Sequence, residues 1–528
     1  RVGQRRGLAM AQAGYGTLAG ASEAAPAKTT SDPAARLVAP AAESSAGAVA
    51  GPGSNLSTMF GASANLTNGE NATAVRAASR SSMPGRPFDE AVCIVGAGIM
   101  GLPFALKEAG FLPGLVLLVL VALLTDYSLR LLARLAKAHA AESYQDLVSR
   151  AFGTPGFVLV ELAQFAFAYG ALVAYLLIVK DTAAVVIRDI FGQGDEWDHE
   201  AVLAVVACAV ILPICFLGSM SGLGVFSATS MVGVVVMVAV VGVERFSVSV
   251  PTSISPVEQY LLPHGNWLSA IGGFAFAFVC QHQLLLVMDS MREPTKPRVA
   301  GVVRMSLVAA VVLSAAMAVF GYTLFWEHTR GDILRSFEET DVVVPPGGAN
   351  PATALAVARV CLVVNMTFTF PAELMVCRHV IESAVLRVWE RQHWQSSGAP
   401  VFDLEAVHRV EREFRERVSG WTSMWMHIGV TTLLFGSSLG LAMALDDLGV
   451  VQELSGSVSA VLLAFVLPAA CHLRLGTHHE DDTGVCHRSK LPSVALLVIG
   501  VIVFFAATAQ TLTNIFDNTP VSDDPAVG

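Results

Sequence analysis

Long stretches without a single Asp, Glu, Lys or Arg follow one another from residue 91 onward, and they restrict the fold more tightly than any other feature. They cover 91–106, 109–125, 162–179, 201–243, 259–288, 305–326, 418–445, 454–473 and 491–516. A helix needs about 20 apolar residues to cross a hydrocarbon core of about 30 Å, and it satisfies its own backbone hydrogen bonds while doing so. The run 201–243 is about twice that length. Inside it lie Gly218, Ser219, Ser221, Gly222 and Gly224, a turn composition, so it holds two spans. A further stretch, 351–376, is apolar except for Arg359 and Glu373. The pattern predicts an all-α integral membrane protein of about 11 transmembrane helices. They lie near 90–109, 112–134, 156–180, 201–218, 224–243, 266–288, 302–326, 351–376, 422–445, 450–473 and 491–514. Charged residues make up 14% of the chain, against roughly a quarter in soluble domains, which argues against a soluble globular protein.

The segments between the spans are sorted by charge. With the N-terminus placed in the cytoplasm, only six of the 33 Lys and Arg fall in outer segments: Lys107, Lys180, Arg188, Arg245, Arg330 and Arg335. Arg359 lies within a span and the remainder fall inside, as the positive-inside rule requires. The odd number of spans leaves residues 515–528 as a short non-cytoplasmic tail. Residues 1–88 are rich in Ala, Gly, Ser and Thr without apolar periodicity, and read as a disordered cytoplasmic tail. The inner loop 378–420 reads as amphipathic helix lying on the membrane surface, with Ile381, Val385, Val388 and Trp389 on one stripe and Leu404, Val407, Val410 and Phe414 on another. The tail and this loop are the two places for a cytoplasmic partner. Eight cysteines lie mostly inside apolar runs with no C-x-x-C pair, so a disulfide or zinc framework is not expected. Nucleic-acid binding is disfavoured, because no basic cluster with interleaved aromatics occurs.

Val95-Gly96-Ala97-Gly98-Ile99-Met100-Gly101-Leu102-Pro103 satisfies G-x-G-x-x-G. As a dinucleotide fingerprint it would need an amphipathic helix and alternating strands afterwards; instead Pro103 follows at once and 111–125 is apolar on every face. Two readings remain. The glycines can break a transmembrane helix in mid-span, freeing N–H groups for a carboxylate and carbonyls for a cation, or they can let helices approach closely. A second cluster, Gly272-Gly273, followed by Phe274 to His282, interrupts the sixth span. First and sixth spans are equivalent if the chain is built as two five-helix halves, and paired interruptions of this kind point to a transport site.

At these residues the chain resembles the amino acid/auxin permease family, most closely its sodium-coupled neutral amino acid transporter branch. The resemblance is carried by Ile94 to Pro103, Thr125-Asp126-Tyr127-Ser128-Leu129, Phe274-Ala275-Phe276-Ala277-Phe278 and Met291-Arg292-Glu293-Pro294-Thr295. It continues in Gly321-Tyr322, Gly331-Asp332-Ile333-Leu334 and Thr369-Phe370-Pro371, in order across about residues 86–514. It implies two inverted five-helix repeats with broken helices 1 and 6 plus one extra helix, and transport of amino acids by alternating access. It also implies a substrate site at Gly96, Ala97, Gly98, Ile99, Met100 and Gly101, completed by Phe274, Phe276, Phe278, Gln281 and His282. A coupling ion would lie between spans one and eight at Asp89 and Thr369, with Thr367 as a substitute for the latter. Where the family carries Asn after Phe, this chain has Phe88-Asp89; a carboxylate there can ligate sodium, a hard cation, or carry a proton.

The resulting expectation is a secondary active transporter of neutral amino acids, coupled to Na+ or H+ and needing no other cofactor, in the plasma membrane or an endomembrane such as the vacuole. An amino-acid-sensing receptor using the same pocket without net transport is the alternative. An ion channel and an intramembrane enzyme fit less well: no filter-like repeat or charged ring occurs, and no nucleophile and base share a helix face. Arg359 reads either as a functional charge at membrane depth or as a snorkelling side chain. Glu161 and Gln164, one turn apart, read as pathway or packing groups. Three sequons, Asn55-Leu56-Ser57, Asn65-Leu66-Thr67 and Asn71-Ala72-Thr73, lie in the tail, where a cytoplasmic location leaves them idle.

Overall fold

The computed structural model describes residues 98–518, leaving aside 192–198, 217–223, 248–259, 261–266, 291–295, 340–350, 398–420, 446 and 477–489. The N-terminal tail, Asp89, Gly96 and Ala97 therefore lie outside the described residues, as does most of the C-terminal tail. Among the described residues every regular element is a helix. In chain order these are α1 (Gly98–Ala109), α2 (Phe111–Ala138), α3 (Tyr144–Phe191), α4 (His199–Cys215), α5 (Gly224–Ser247) and the two-part α6 (α6a Trp267–Phe278, α6b Gln281–Ser290). They continue as α7 (Lys296–Phe325), a short helix Ile333–Glu339, α8 (Pro351–Ser397), α9 (Trp421–Ala444), α10 (Leu448–Leu475) and α11 (Leu491–Asn518). The described part of each charge-poor stretch is helical for most of its length, with 201–243 holding two helices, α4 and α5. Eight of them (α2, α3, α5 and α7 to α11) are long and apolar enough to cross a membrane, and α4 and α6 are shorter apolar helices.

Local sequence explains the joints. Gly110, with φ 81°, turns the chain sharply from α1 into α2, a conformation that costs glycine little. Gly153, at φ 66° and ψ −151°, breaks the helical path of α3, and Pro155 follows in the first turn of the longer half. That kink explains why apolar periodicity starts only near 156. Pro103 stays inside α1, and its ring packs against Gly321 of α7. Two π-turns loosen α10: Gly456–Ala460 where it passes α6a, and Leu462–Val466 where it meets α11, α2 and α6b.

The core is centred on α6a, which packs against α1, α2, α10 and α11, while α8 packs along α3 and α5. Outward-facing Val116, Leu123, Met305, Val308, Val312, Leu433 and Phe505 are exposed; a stripe this apolar is a liability in water and the expected covering in lipid. Polar contacts fall into two groups, as alternating spans demand. At one end Lys107 donates to the Thr329 carbonyl, Lys180 to the Leu445 carbonyl, Arg245 to Thr323, and Arg335 pairs with Asp181. At the other, His139 meets the Gly476 carbonyl, Ser493 links Tyr127 to His472, and Arg378 meets His427.

Two expectations need correction. The sixth span is interrupted at Val279–Cys280, not at Gly272-Gly273, which are helical. The 378–397 part of the inner loop is not a separate surface helix: α8 runs unbroken from Pro351 to Ser397. At about 1.5 Å per residue its 47 residues reach about 70 Å, more than twice the hydrocarbon core, so its far end projects beyond the membrane. The second stripe, 404–414, lies outside the described residues.

Candidate functional site

The break in α6 exposes backbone in the middle of the bundle. In a continuous helix the Cys280 N–H would bond the Phe276 carbonyl; here it donates to the side chain of Gln281 at 3.0 Å. The last carbonyls of α6a thereby lose their partners one turn on, and as a helix C-terminus they carry partial negative charge. Gln281 holds the break in place, because its Nε2 also donates to Ser128 of α2 at 3.4 Å and Ser128 in turn donates to the Ala464 carbonyl of α10.

The start of α1 lies directly against this break. A methyl group placed on Gly98 would come within 2.5 Å of Ala277 Cα, in the last turn of α6a. Gly101 likewise leaves no room beside Gln452 of α10. Close packing is therefore one purpose of the first glycine cluster. The residues before Gly98, including Gly96 and Ala97, lie outside the described residues. Ile99 and Met100 are buried, as are Phe274, Phe276, Phe278, Gln281 and His282. Phe276 meets Phe167 of α3 with ring centroids 5.3 Å apart, and Phe167 meets the His282 ring at 4.9 Å. The described parts of the first and sixth spans thus pack against each other.

Sequence reasoning missed the partner of His282. Its Nε2 lies 3.3 Å from a carboxylate oxygen of Glu373 on α8, and Gln283 Nε2 donates to the same carboxylate at 2.7 Å. The two side chains are 0% and 3% exposed. His282 Nδ1 is buried without a hydrogen-bond partner among the described residues, leaving one ring position open beside Phe167. Glu373 completes a stripe on α8: Asn365, Thr369 and Glu373 are spaced by four and all buried. Thr369 donates to the Asn365 carbonyl at 2.8 Å and reaches its side-chain oxygen at 3.2 Å. Thr367 is buried as well. The signal was present, because three polar residues at i, i+4 and i+8 in an apolar helix mark one face. Among the described residues no group of three or more His, Cys, Asp and Glu could hold a metal ion.

Arg359, 6% exposed, is turned into the bundle and does not snorkel outward. Gln164 accepts from Gln145 at 2.6 Å, a packing contact across the α3 kink. Both carboxylate oxygens of Glu161 are buried with no hydrogen-bond partner among the described residues. One turn away Arg387, on the projecting part of α8, lies over the Phe157 ring at 4.2 Å.

Comparisons place this arrangement among known proteins. The family model for "Transmembrane amino acid transporter protein" matches residues 89–513. A zebrafish protein provisionally named sodium-coupled neutral amino acid transporter 11 is 30% identical over 428 residues, covering 80% of this chain and 84% of the relative. Its human counterpart, under the same name, is 29% identical over 418 residues, 78% of this chain and 91% of that protein. Vacuolar amino acid transporter 2 of Saccharomyces cerevisiae is 25% identical over 456 residues, 82% of this chain and 84% of the yeast protein. The apolar helices, the buried break in α6 and a match spanning most of the chain together show that this multi-pass membrane protein belongs to the transmembrane amino acid transporter family.

Proposed function

We propose that the chain is a secondary active transporter of neutral amino acids, working by alternating access and driven by Na+ or H+. The observation that carries this reading is the buried break at Val279–Cys280 beside the start of α1. It leaves the carbonyl end of α6a and the N–H end of α6b side by side in the bundle, complementary dipoles of the kind an amino-acid zwitterion needs at its ammonium and carboxylate. Aromatic Phe167 and Phe276 supply the apolar wall. The names of the relatives, sodium-coupled neutral and vacuolar, agree with the substrate class and leave the membrane to be either plasma membrane or endomembrane.

In this reading α1–α5 and α6–α10 are two inverted repeats, with α11 added and the N-terminus in the cytoplasm. The coupling cation binds between the residues preceding Gly98, Asp89 included, and the Asn365–Thr369 face of α8. Moving one charge down 100 mV yields about 2.3 kcal/mol, and a tenfold cation gradient adds about 1.4 kcal/mol. One cation would then sustain roughly 500-fold accumulation.

The test is uptake of a labelled amino-acid panel, in sodium against choline and at acidic against neutral pH. Neutral amino acids should enter, with a clear requirement for one of the two cations. Absence of flux in every condition would contradict transport, and saturable binding without flux would favour an amino-acid receptor. Asp89→Asn should shift the requirement toward sodium if Asp89 carries the proton; unchanged pH dependence would count against that role.

A further inference from the structure

A cavity of about 400 Å³ lies between α2, α6b and α7, lined from Tyr127 to Lys137 on α2. Arg130, Arg134 and Lys137 from α2 line it together with Met288, Val299 and Val303, and among the described residues none of the lining side chains is acidic. Arg304, exposed on α7, lies within electrostatic reach of Arg130. Arg130 is anchored from below by Asp126 one turn earlier, while Arg134 and Lys137 are exposed. Guanidinium groups match phosphate oxygens in charge and geometry, and Arg134, which lines the cavity, and Arg304 present theirs exposed.

The surface leading out of the cavity identifies the rest of the ligand. On α2 the residues Val116, Leu120, Leu123, Tyr127, Arg130, Arg134 and Lys137 recur every three or four positions, so they form one stripe. Val116, Leu120 and Leu123 are exposed, so the stripe is a bare apolar lane that turns basic at its inner end. The facing helix α7, packed beside α2, repeats the arrangement with exposed Val312, Val308 and Met305 leading to Arg304. A free phosphate would use the cations and leave the lane empty. An acidic peptide would have to enter hydrocarbon with its backbone unsatisfied.

We infer that this cleft is a binding site for an anionic phospholipid, its phosphate headgroup held by Arg130, Arg134, Lys137 and Arg304 and one acyl chain lying along the lane between α2 and α7. The basic end is the one that the charge sorting places in the cytoplasm, the side where anionic lipids collect and where basic pockets between helices hold their headgroups.

The inference is tested by titrating the purified full-length protein, in neutral detergent, with dioctanoyl phosphatidylinositol 4-phosphate. Dioctanoyl phosphatidylcholine and inorganic phosphate serve as parallel titrants. The phosphoinositide should bind, more weakly as salt is raised, and the other two should not bind at the same concentrations. Arg134→Gln with Lys137→Gln removes two exposed cations and should weaken binding about tenfold or more. Arg134→Lys, which keeps the charge, should lose much less. Both changes lie on the surface, and an unaltered melting temperature shows that the fold is kept. Equal binding of phosphatidylcholine, equal binding of inorganic phosphate, or unchanged affinity in the double variant would each overturn the site. Salt-independent binding by the unmodified protein would overturn it without any variant.

Discussion

Three ionisable side chains at membrane depth show how differently burial can be resolved. Glu373 is matched by His282 and Gln283, so its charge has acceptable company. Removing it leaves two buried donors facing nothing, a change that costs about 3–5 kcal/mol when a buried pair is broken. Glu373→Ala should therefore lower the thermal unfolding temperature markedly, whereas Glu373→Gln keeps the shape and should reduce uptake more than it reduces stability. Uptake by Glu373→Gln equal to that of the unmodified protein would remove the pair from the mechanism. Glu161 is the opposite case, buried with neither oxygen bonded among the described residues. An unsatisfied buried group costs about 1–3 kcal/mol, so Glu161→Leu should raise the unfolding temperature; a fall would mean that Glu161 has a structural partner. Of these residues the sequence marked His282 and Glu161 by type and position. It did not reveal that His282 faces Glu373, because that contact joins helices about 90 residues apart, and single-sequence periodicity carries no information on pairing between helices.

Among the elements, α6 departs most from what its sequence suggests. Two adjacent glycines are the obvious place to unwind a helix, yet they remain helical and the ladder fails further on, at Val279–Cys280. The reason is packing. A side chain on Gly272 would meet the Glu453 carbonyl at 2.9 Å, and Gly456 of α10 lies against the Gly272 carbonyl in return. Gly273 has only an ordinary contact, 3.4 Å from Ala105. Gly272→Ala should accordingly destabilise the protein by about 1–3 kcal/mol through overpacking, while Gly273→Ala should be nearly neutral in thermal unfolding. Equal losses at both positions would restore unwinding as their purpose. The break itself was not legible because it depends on Gln281 supplying an acceptor to Cys280, a local side-chain choice with no periodic signature. The α3 kink, by contrast, is written in Gly153-Thr154-Pro155, and Gly153→Ala should cost about 1 kcal/mol because of the positive φ.

At the scale of the whole molecule, charge placement told most of the story. Among the described residues the stretches cleared of charge are helical, with two helices in 201–243, and the side chains grouped at each end are those that alternating spans would bring together. What the pattern could not supply was length beyond the membrane: α8 continues to Ser397 because no proline or glycine stops it after Pro371. Cysteines introduced at Lys137 and at Arg335 should react with a membrane-impermeant maleimide from opposite sides, Lys137 from the cytosol. Labelling of both from one side would contradict the alternation. The central claim is that the bundle does work on an amino acid, and concentrative uptake tests it most directly. In liposomes carrying the purified protein, an imposed sodium or proton gradient should drive a labelled neutral amino acid above its external concentration, and an ionophore that dissipates the gradient should release it. Equilibration without accumulation under both gradients, or binding without entry, would contradict the account.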